Sequence, residues 1–465
     1  MGEIFAKYLG AVDDCTTITQ QGKVSQVIGL VVSSTGPSTS IGELCRIYPR
    51  EGGDPVPAEV VGFKSHQVML MPLGEMRGIN PGSVVEATGE TLSIPVGDEL
   101  LGRVLGGLGQ PIDGKGPVQC TSNMPVYADP PHPLMRSRIR EPMLTGIRSI
   151  DTFATCGRGQ RLGIFAGSGV GKSVLLGMIA KHSKAAVNVI GLIGERGREV
   201  RDFLERDLGE EGLKRSVVVS VTSDQPALIK VKGALVATTI AEHFRNQGHH
   251  VILMVDSITR VAMSLREIGL AVGEPPATKG YPPSVYAFLP KFLERPGSTS
   301  TGSITGLYTV LVEGDDFNEP VSDTVRSILD GHVVLSRRLA NRNHYPAVDV
   351  LDSVSRVMPD VVTPEHKRIA GRTRELLAAY RESEDLITIG AYVNGSHKLT
   401  DEAITKHDDF NDYLRQDMEE GAELESDIER LKEIVDSEEV QVPNGQDQEA
   451  QGGLEEAGAE ALRQS

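Results

Sequence analysis

At 465 residues and a net charge of −17, the chain has room for two or three domains and is too acidic for nucleic-acid binding to be its main business. Charged residues at 24% and hydrophobic residues at 39% are ordinary for a globular protein with a packed core. Cys15, Cys45, Cys120 and Cys156 form no CxxC pair, no run approaches the ~18 apolar residues of a membrane span, and there is no cationic-then-apolar leader. A soluble cytoplasmic protein with free thiols is expected.

Residues 1–90 are predicted to be β-structure. The run Lys23–Ser33 alternates apolar and polar residues, and Leu44–Tyr48, Ala58–Gly62 and Gln67–Met71 continue the series between Gly, Pro, Ser and Asn. Short strands at this spacing predict a small barrel, most often a packing or assembly module. Residues 91–145 are rich in Gly and Pro, including the loose glycine run Leu101–Gly109. No helix follows it, so it is read as connecting structure leading into the next domain, the two together spanning 91–365.

From 146 to about 365, strands and helices alternate as in a parallel-sheet α/β domain. The organising stretch is Ala166-Gly167-Ser168-Gly169-Val170-Gly171-Lys172-Ser173, with Leu162–Phe165 before it and the amphipathic run from Val174 to Ala180 after it. Strand, glycine-rich loop and helix are the context a P-loop requires. The glycines turn backbone N–H groups toward one centre, and the helix N-terminus adds partial positive charge there. Lys172 can reach β- and γ-phosphates and the Ser173 hydroxyl can ligate Mg²⁺. Ala166 stands where the strict pattern has glycine, which the loop tolerates if φ there is negative. Later strands are expected at Val187–Ile193, Ser216–Val221, Val251–Val255, Ile304–Leu311 and Val333–Leu335, and a long helix at Pro226–Gln247.

Residues 366–440 turn helical: Ile369, Thr373, Leu376, Leu377 and Tyr380 recur at helical spacing, a helix is expected over Ala403–Met418, and Leu424, Ile428, Leu431 and Val435 form another stripe. Residues 441–465 hold five acids, one Arg and no aromatic residue, a composition expected to stay disordered.

Ligands of open parallel sheets bind beyond the carboxyl ends of the strands. Val251–Asp256 is an apolar strand ending in a carboxylate, the Walker B form, and Asp256 is placed to hold Mg²⁺ opposite Ser173. Ser257 occupies the position where many P-loop enzymes have a catalytic Glu, so the water-orienting base must come from elsewhere. Glu195, just past a neighbouring strand, is the candidate, whereas Glu199 and Arg198 suit charge pairing at a helix start.

Gly194-Glu195-Arg196-Gly197-Arg198-Glu199-Val200 resembles the signature of rotary-ATPase catalytic subunits and their secretion relatives. Asp256–Arg260, Gly273–Ser284, Val312–Asp316, Leu329–Arg337 and His344–Asp349 narrow the resemblance to the flagellar and type III secretion export ATPases, over about residues 20 to 420. It implies an N-terminal β-barrel, a central α/β RecA-like ATPase domain and a C-terminal α-helical domain, with ATP and Mg²⁺ bound. The implied nucleotide contacts are Gly167, Ser168, Gly169, Val170, Gly171, Lys172, Ser173, Val174 and Tyr345, the last stacking on adenine. Ser173 and Asp256 would serve the metal, Glu195 the attacking water, and Arg196 and Arg260 the γ-phosphate network. Arg356, in Asp352–Arg356, matches an arginine finger that enters the neighbouring subunit's site, and Ala166 agrees with the family's form of the loop.

The resemblance implies a homohexamer at the cytoplasmic face of the inner membrane. Its implied partners are a stator-like regulator, a central-stalk protein, membrane proteins of the export gate, and export substrates with their chaperones, but no nucleic acid. Likeness leans to the flagellar rather than the injectisome branch. A rotary ATP synthase catalytic subunit shares most of the site, but Gly390–Thr400 lacks the strongly acidic loop of those subunits. An RNA helicase of the transcription-termination class is disfavoured by the acidic balance and by the absence of aromatics beside basic residues in the N-terminal region. Non-catalytic subunits usually lack the carboxylate kept here as Glu195.

Overall fold

Val24, Val32, Cys45, Ile47, Ala58, Val60, Val68, Leu70 and Val85 are buried in a single small core, inside six strands. These are β1 (Gln21–Ile28), β2 (Val31–Thr35), β3 (Glu43–Tyr48), β4 (Val56–Lys64), β5 (Gln67–Pro72) and β6 (Val84–Thr91), closed in the order β1-β2-β5-β4-β3-β6. Pairing of β6 back onto β1 leaves no free edge. The run expected to continue through Lys23–Ser33 breaks at Gly29, whose φ of 56° makes the turn between β1 and β2. The computed structural model describes residues 19–437 apart from 51, 313, 315 and 318. The tail expected at 441–465, Cys15 and two positions of the Val312–Asp316 block therefore lie outside the described residues. Cys45, Cys120 and Cys156 are free thiols.

The central sheet contains β7 (Val104–Leu105), β8 (Arg161–Ala166), β9 (Val187–Glu195), β10 (Ser216–Thr222), β11 (His250–Asp256), β12 (Ser303–Leu311), β13 (Gly331–Leu335) and β14 (Val348–Ser355). Along the sheet they run β14-β13-β8-β12-β11-β9-β10-β7, parallel throughout except for β14. Helices α1 (Lys172–His182), α2 (Ala227–Asn246) and α3 (Ile258–Val272) link its strands. With both faces covered, the central strands are nearly continuous apolar runs, and for that reason the five expected strands are all present. The segment read as connecting structure does more than connect. It adds β7 to the sheet edge and pairs Ser93–Val96 with Ser122–Pro125.

The barrel is fastened to the central layer by a buried charge. Lys232 of α2 is fully buried, with its ammonium against the Glu59 carboxylate of β4 and the Tyr127 hydroxyl. Tyr127 donates to Glu59 at 2.7 Å, and its ring lies 4.0 Å from the Lys232 ammonium.

At the other end, α4 (Pro364–Thr388), α5 (Lys398–Leu414) and α6 (Leu424–Asp436) form the helical layer. Thr363 caps α4 by accepting from the His366 amide, and Pro364 takes the first turn. The helix expected to reach Met418 stops at Leu414 because Arg415 is extended and Gln416 is used elsewhere. Buried Arg148 donates to Asp427 at 2.8 Å and to the carbonyls of Tyr413 and Arg415, each at 3.0 Å, and contacts Glu420. Among the described residues no helix is long and apolar enough to cross a membrane.

Glu59→Ala would leave the Lys232 ammonium buried without its anion, a loss of about 3–5 kcal/mol. Chemical denaturation should report that loss in the barrel transition, with Glu59→Gln milder. A change below about 1 kcal/mol, the scale of a surface pair, would refute the fastening role.

Candidate active site

Between β8 and α1 the backbone turns back on itself. Gly169 and Gly171 adopt φ of 78° and 89°, where a side chain would be strained, and Gly171 caps α1. Ala166 needs no such freedom. It is the last residue of β8, is absent from the described non-glycine residues with positive φ, and accepts the Val312 amide through its carbonyl. Lys172 and Ser173 then start α1, and Val170 is buried beneath the loop.

The Lys172 side chain is nearly out of water. It contacts the Asp256 carboxylate and lies 3.4 Å from Glu195 Oε1. Burial works against its charge, but the Asp256 and Glu195 carboxylates outweigh burial and hold the ammonium pKa above its ordinary value. Asp256 ends β11, buried, and also accepts from Thr309 Oγ1 at 2.7 Å. Ser257, the residue that broke the expected carboxylate pair, accepts from the Arg260 amide at 3.3 Å and caps α3.

Glu195 reaches the cluster through a bulge. The register of β9 against β10 shifts between Ile193 and Glu195, where Gly194 has φ 78°. A Cβ at Gly194 would stand 3.1 Å from Arg260 Cβ, so the glycine also admits the Arg260 stem. Burial, reinforced by the Asp256 charge and by Glu199, outweighs the pull of Lys172 and pushes the Glu195 carboxyl up to about 7. A carboxyl poised there suits proton acceptance near neutral pH.

The remaining expected groups are spread out. Arg196 caps the helix Gly197–Asp202 with its side chain exposed, 3.8 Å from Glu199. Arg260 is exposed at the mouth of a cleft it shares with Gly194, Lys230 and Arg266. Arg356 follows β14, whose antiparallel direction carries it away from the loop. Val348 pairs with Leu335 at the loop end of the sheet, and Ser355 with Gly331 at the far end. The two positions are about 23 Å apart at ~3.3 Å per residue, beyond any arginine's reach to its own Lys172.

Tyr345 stands over the loop, its ring within 3.5 Å of where a Gly171 side chain would be. Together with Val174, Met178, Pro346 and Met418 it lines a cleft of about 680 Å³ that opens at Gly169 and Gly171. The cleft has a wall that the sequence did not disclose, the segment Arg415–Met418. Gln416 donates its amide N–H to the Tyr345 carbonyl at 3.1 Å, and its side chain joins Gly146, Arg148 and Glu420. An apolar cleft with an aromatic wall beside a phosphate cradle has the shape and chemistry of a nucleotide site. Ser173 and Asp256 offer hard oxygen ligands, which fit a Mg²⁺ that keeps most of its waters and takes only one or two protein oxygens. Among the described residues no group of three or more His, Cys, Asp or Glu is placed to hold a metal.

Comparison with known proteins gives the same picture. Residues 146–355 match the nucleotide-binding domain of the ATP synthase alpha/beta family, residues 24–89 its beta-barrel domain, and residues 362–433 the T3SS EscN ATPase C-terminal domain. The flagellum-specific ATP synthase of Bacillus subtilis is 55% identical, over 92% of this chain and 98% of its own length. The type 3 secretion system ATPase of Xanthomonas euvesicatoria is 49% identical, over 89% of this chain and 94% of its own. The assembled ATPase EscN of enteropathogenic E. coli superposes with a TM-score of 0.85 at 45% identity, covering 89% of this chain and all of that one. A second EscN structure, in complex with its central stalk EscO, gives 0.82 at 44% identity, with the same coverage.

The raised Glu195 pKa has a signed consequence. Folded protein keeps this proton up to about pH 7 while the unfolded chain releases it near 4.5, so the native state holds more protons between those values and loses stability as pH rises across them. Glu195→Gln lacks this term. Its unfolding midpoint should rise relative to the parent from pH 5 to 7 and level off above, and a pH-independent difference would contradict the assignment.

Proposed function

The chain belongs to the ATP synthase alpha/beta family, in the branch of flagellum-specific ATP synthases and type 3 secretion ATPases, and we propose that it hydrolyses ATP to power protein export through a flagellar-type secretion apparatus. The observation that carries the reading is the cluster of Lys172, Asp256 and Glu195 beside the glycine cradle. An ammonium already neutralised by carboxylates exchanges them for the β- and γ-phosphates of the nucleotide. Glu195, released from Lys172, then orients and deprotonates the attacking water. Tyr345 and Val174 receive the base, and the backbone of Gly167–Gly171 holds the phosphates. Ser173 and Asp256 would hold a Mg²⁺, which would supply neutralisation of charge on the phosphate oxygens.

The working form is a homohexamer with its sites between subunits. Arg356 lies too far from its own cradle to act there, and its guanidinium serves the adjacent chain, with Arg196 and Arg260 completing the γ-phosphate surroundings. Identical head-to-tail contacts around a closed ring give every chain both roles. The barrel serves assembly, the segment 91–365 the chemistry, and 366–440 the coupling to a central stalk, the kind of partner with which EscN has been solved. The ring works at the cytoplasmic face of the inner membrane with a stator-like regulator, the gate proteins, and chaperoned export substrates. Of the two relatives compared above the Bacillus flagellar one is the more identical, and we take the flagellar branch as the working assignment.

Two experiments test this. Glu195→Gln should bind ATP almost as the parent does and lose turnover, and full steady-state hydrolysis would remove Glu195 from its role. Mixed rings of Arg356→Ala and Lys172→Ala chains should regain hydrolysis that neither has alone, because intact half-sites meet at some interfaces. Mixed rings without recovery would rule out an arginine supplied between subunits.

A further inference from the structure

Thr309 lies within β12, fully buried between Tyr308 and Val310. A buried hydroxyl requires a partner, and this one has two acceptors in range. The nearer is Asp256 Oδ1 at 2.7 Å, and the other is the Val255 carbonyl at 3.4 Å. A hydroxyl carries one proton, so the short, charge-assisted contact to the carboxylate takes it. Lys172 contacts the same oxygen, Oδ1. Two donors therefore converge on Oδ1 of Asp256 and limit how the carboxylate can turn, with Oδ2 left outside that pair.

We propose that Thr309 is a positioning residue for Asp256: it holds the carboxylate in its metal-facing orientation in the state where Lys172 has moved to the phosphates. This rests on the ATPase reading above. In the nucleotide-free chain Lys172 and Thr309 share the task. Once a nucleotide draws the ammonium away, the hydroxyl alone keeps Oδ1 hydrogen-bonded in a buried site, so its weight grows as the site fills. Removing it leaves a buried oxygen without a donor and frees the carboxylate to rotate, which weakens the metal rather than the nucleotide.

The test uses the full chain and Mn²⁺ as the probe. Mn²⁺ binding with ADP present is followed by electron paramagnetic resonance, and ADP binding without metal by fluorescence in EDTA. Thr309→Val should raise the Mn²⁺ dissociation constant about tenfold, the lower end of the loss seen when groups supporting metal ligands are removed. Metal-free ADP affinity should stay unchanged, because the cradle and Lys172 are untouched. Thr309→Ser keeps the hydroxyl and should restore Mn²⁺ affinity. Unchanged Mn²⁺ affinity in a folded Thr309→Val, or equal weakening in the Val and Ser variants, would overturn the proposal. Thr309→Ala gives the same readout if the Val chain does not fold. Should the parent chain itself show no ADP-dependent Mn²⁺ binding, the ATPase reading fails, and that result is distinct from a parent that binds and a variant that binds equally well.

Discussion

A cation withdrawn from water must be met by anions, and the Lys172 ammonium sets that demand for the central layer. Three neighbouring strands answer it, and with the strand before Lys172 they run in order across the sheet. Lys172 follows β8, Thr309 comes from β12, Asp256 from β11 and Glu195 from β9. At about 4.8 Å between strands the set spans roughly 14 Å, which a lysine stem and one bulge at Gly194 can bridge. The crossing from β8 to β9 leaves room for exactly the two strands that carry Thr309 and Asp256, so connectivity and chemistry are the same fact seen twice.

The parts legible in the sequence are those written in local patterns. The P-loop, the apolar strand ending in Asp256, the strand before Glu195 and the helical stripes beyond 366 each lie within a dozen residues. Each follows from backbone periodicity and from what phosphate needs. Strands β7 and β14 were not anticipated. β7 is two residues inside a glycine-rich stretch, and its pairing with β10 is made more than a hundred residues away. Val348-Asp349-Val350-Leu351-Asp352 carries an alternation, but its role as an antiparallel edge depends on β13. Thr309 and Gln416 stayed hidden for the same reason. A threonine in a strand and a glutamine after a helix mean nothing until the fold brings Asp256 and Tyr345 to them. Arg356 shows the opposite case: resemblance supplied a role, and the direction of β14 supplied the physical reason it cannot be performed at home.

Polar groups as well as shared apolar cores fix how the three layers sit together. Lys232, Glu59 and Tyr127 hold the barrel to α2, and Arg148 with Gln416 holds the helical layer to the start of the nucleotide-binding domain. Greasy surfaces tolerate sliding, whereas a buried charge with one set of partners does not, because each displaced arrangement leaves a group unsatisfied.

Helix α4 gives that rigidity a mechanical meaning. Its 25 residues make a rod about 37 Å long at ~1.5 Å per residue, pinned along one side. His366 meets the Thr152 carbonyl, Arg374 the carbonyls of Phe153 and Ser353, Arg381 the Asp349 carboxylate, and Glu384 both Arg338 and Arg342. The last three pins grip the stretch on either side of Tyr345. Just beyond them stand bare apolar residues, Leu386 in the last turn of the rod and Ile389 and Val393 after it. A sideways push on that tip is therefore not absorbed by a soft joint. It meets Arg381 and Glu384 directly, and through them the stretch that carries Tyr345, so load on the tip and grip on the base share one end of a stiff beam.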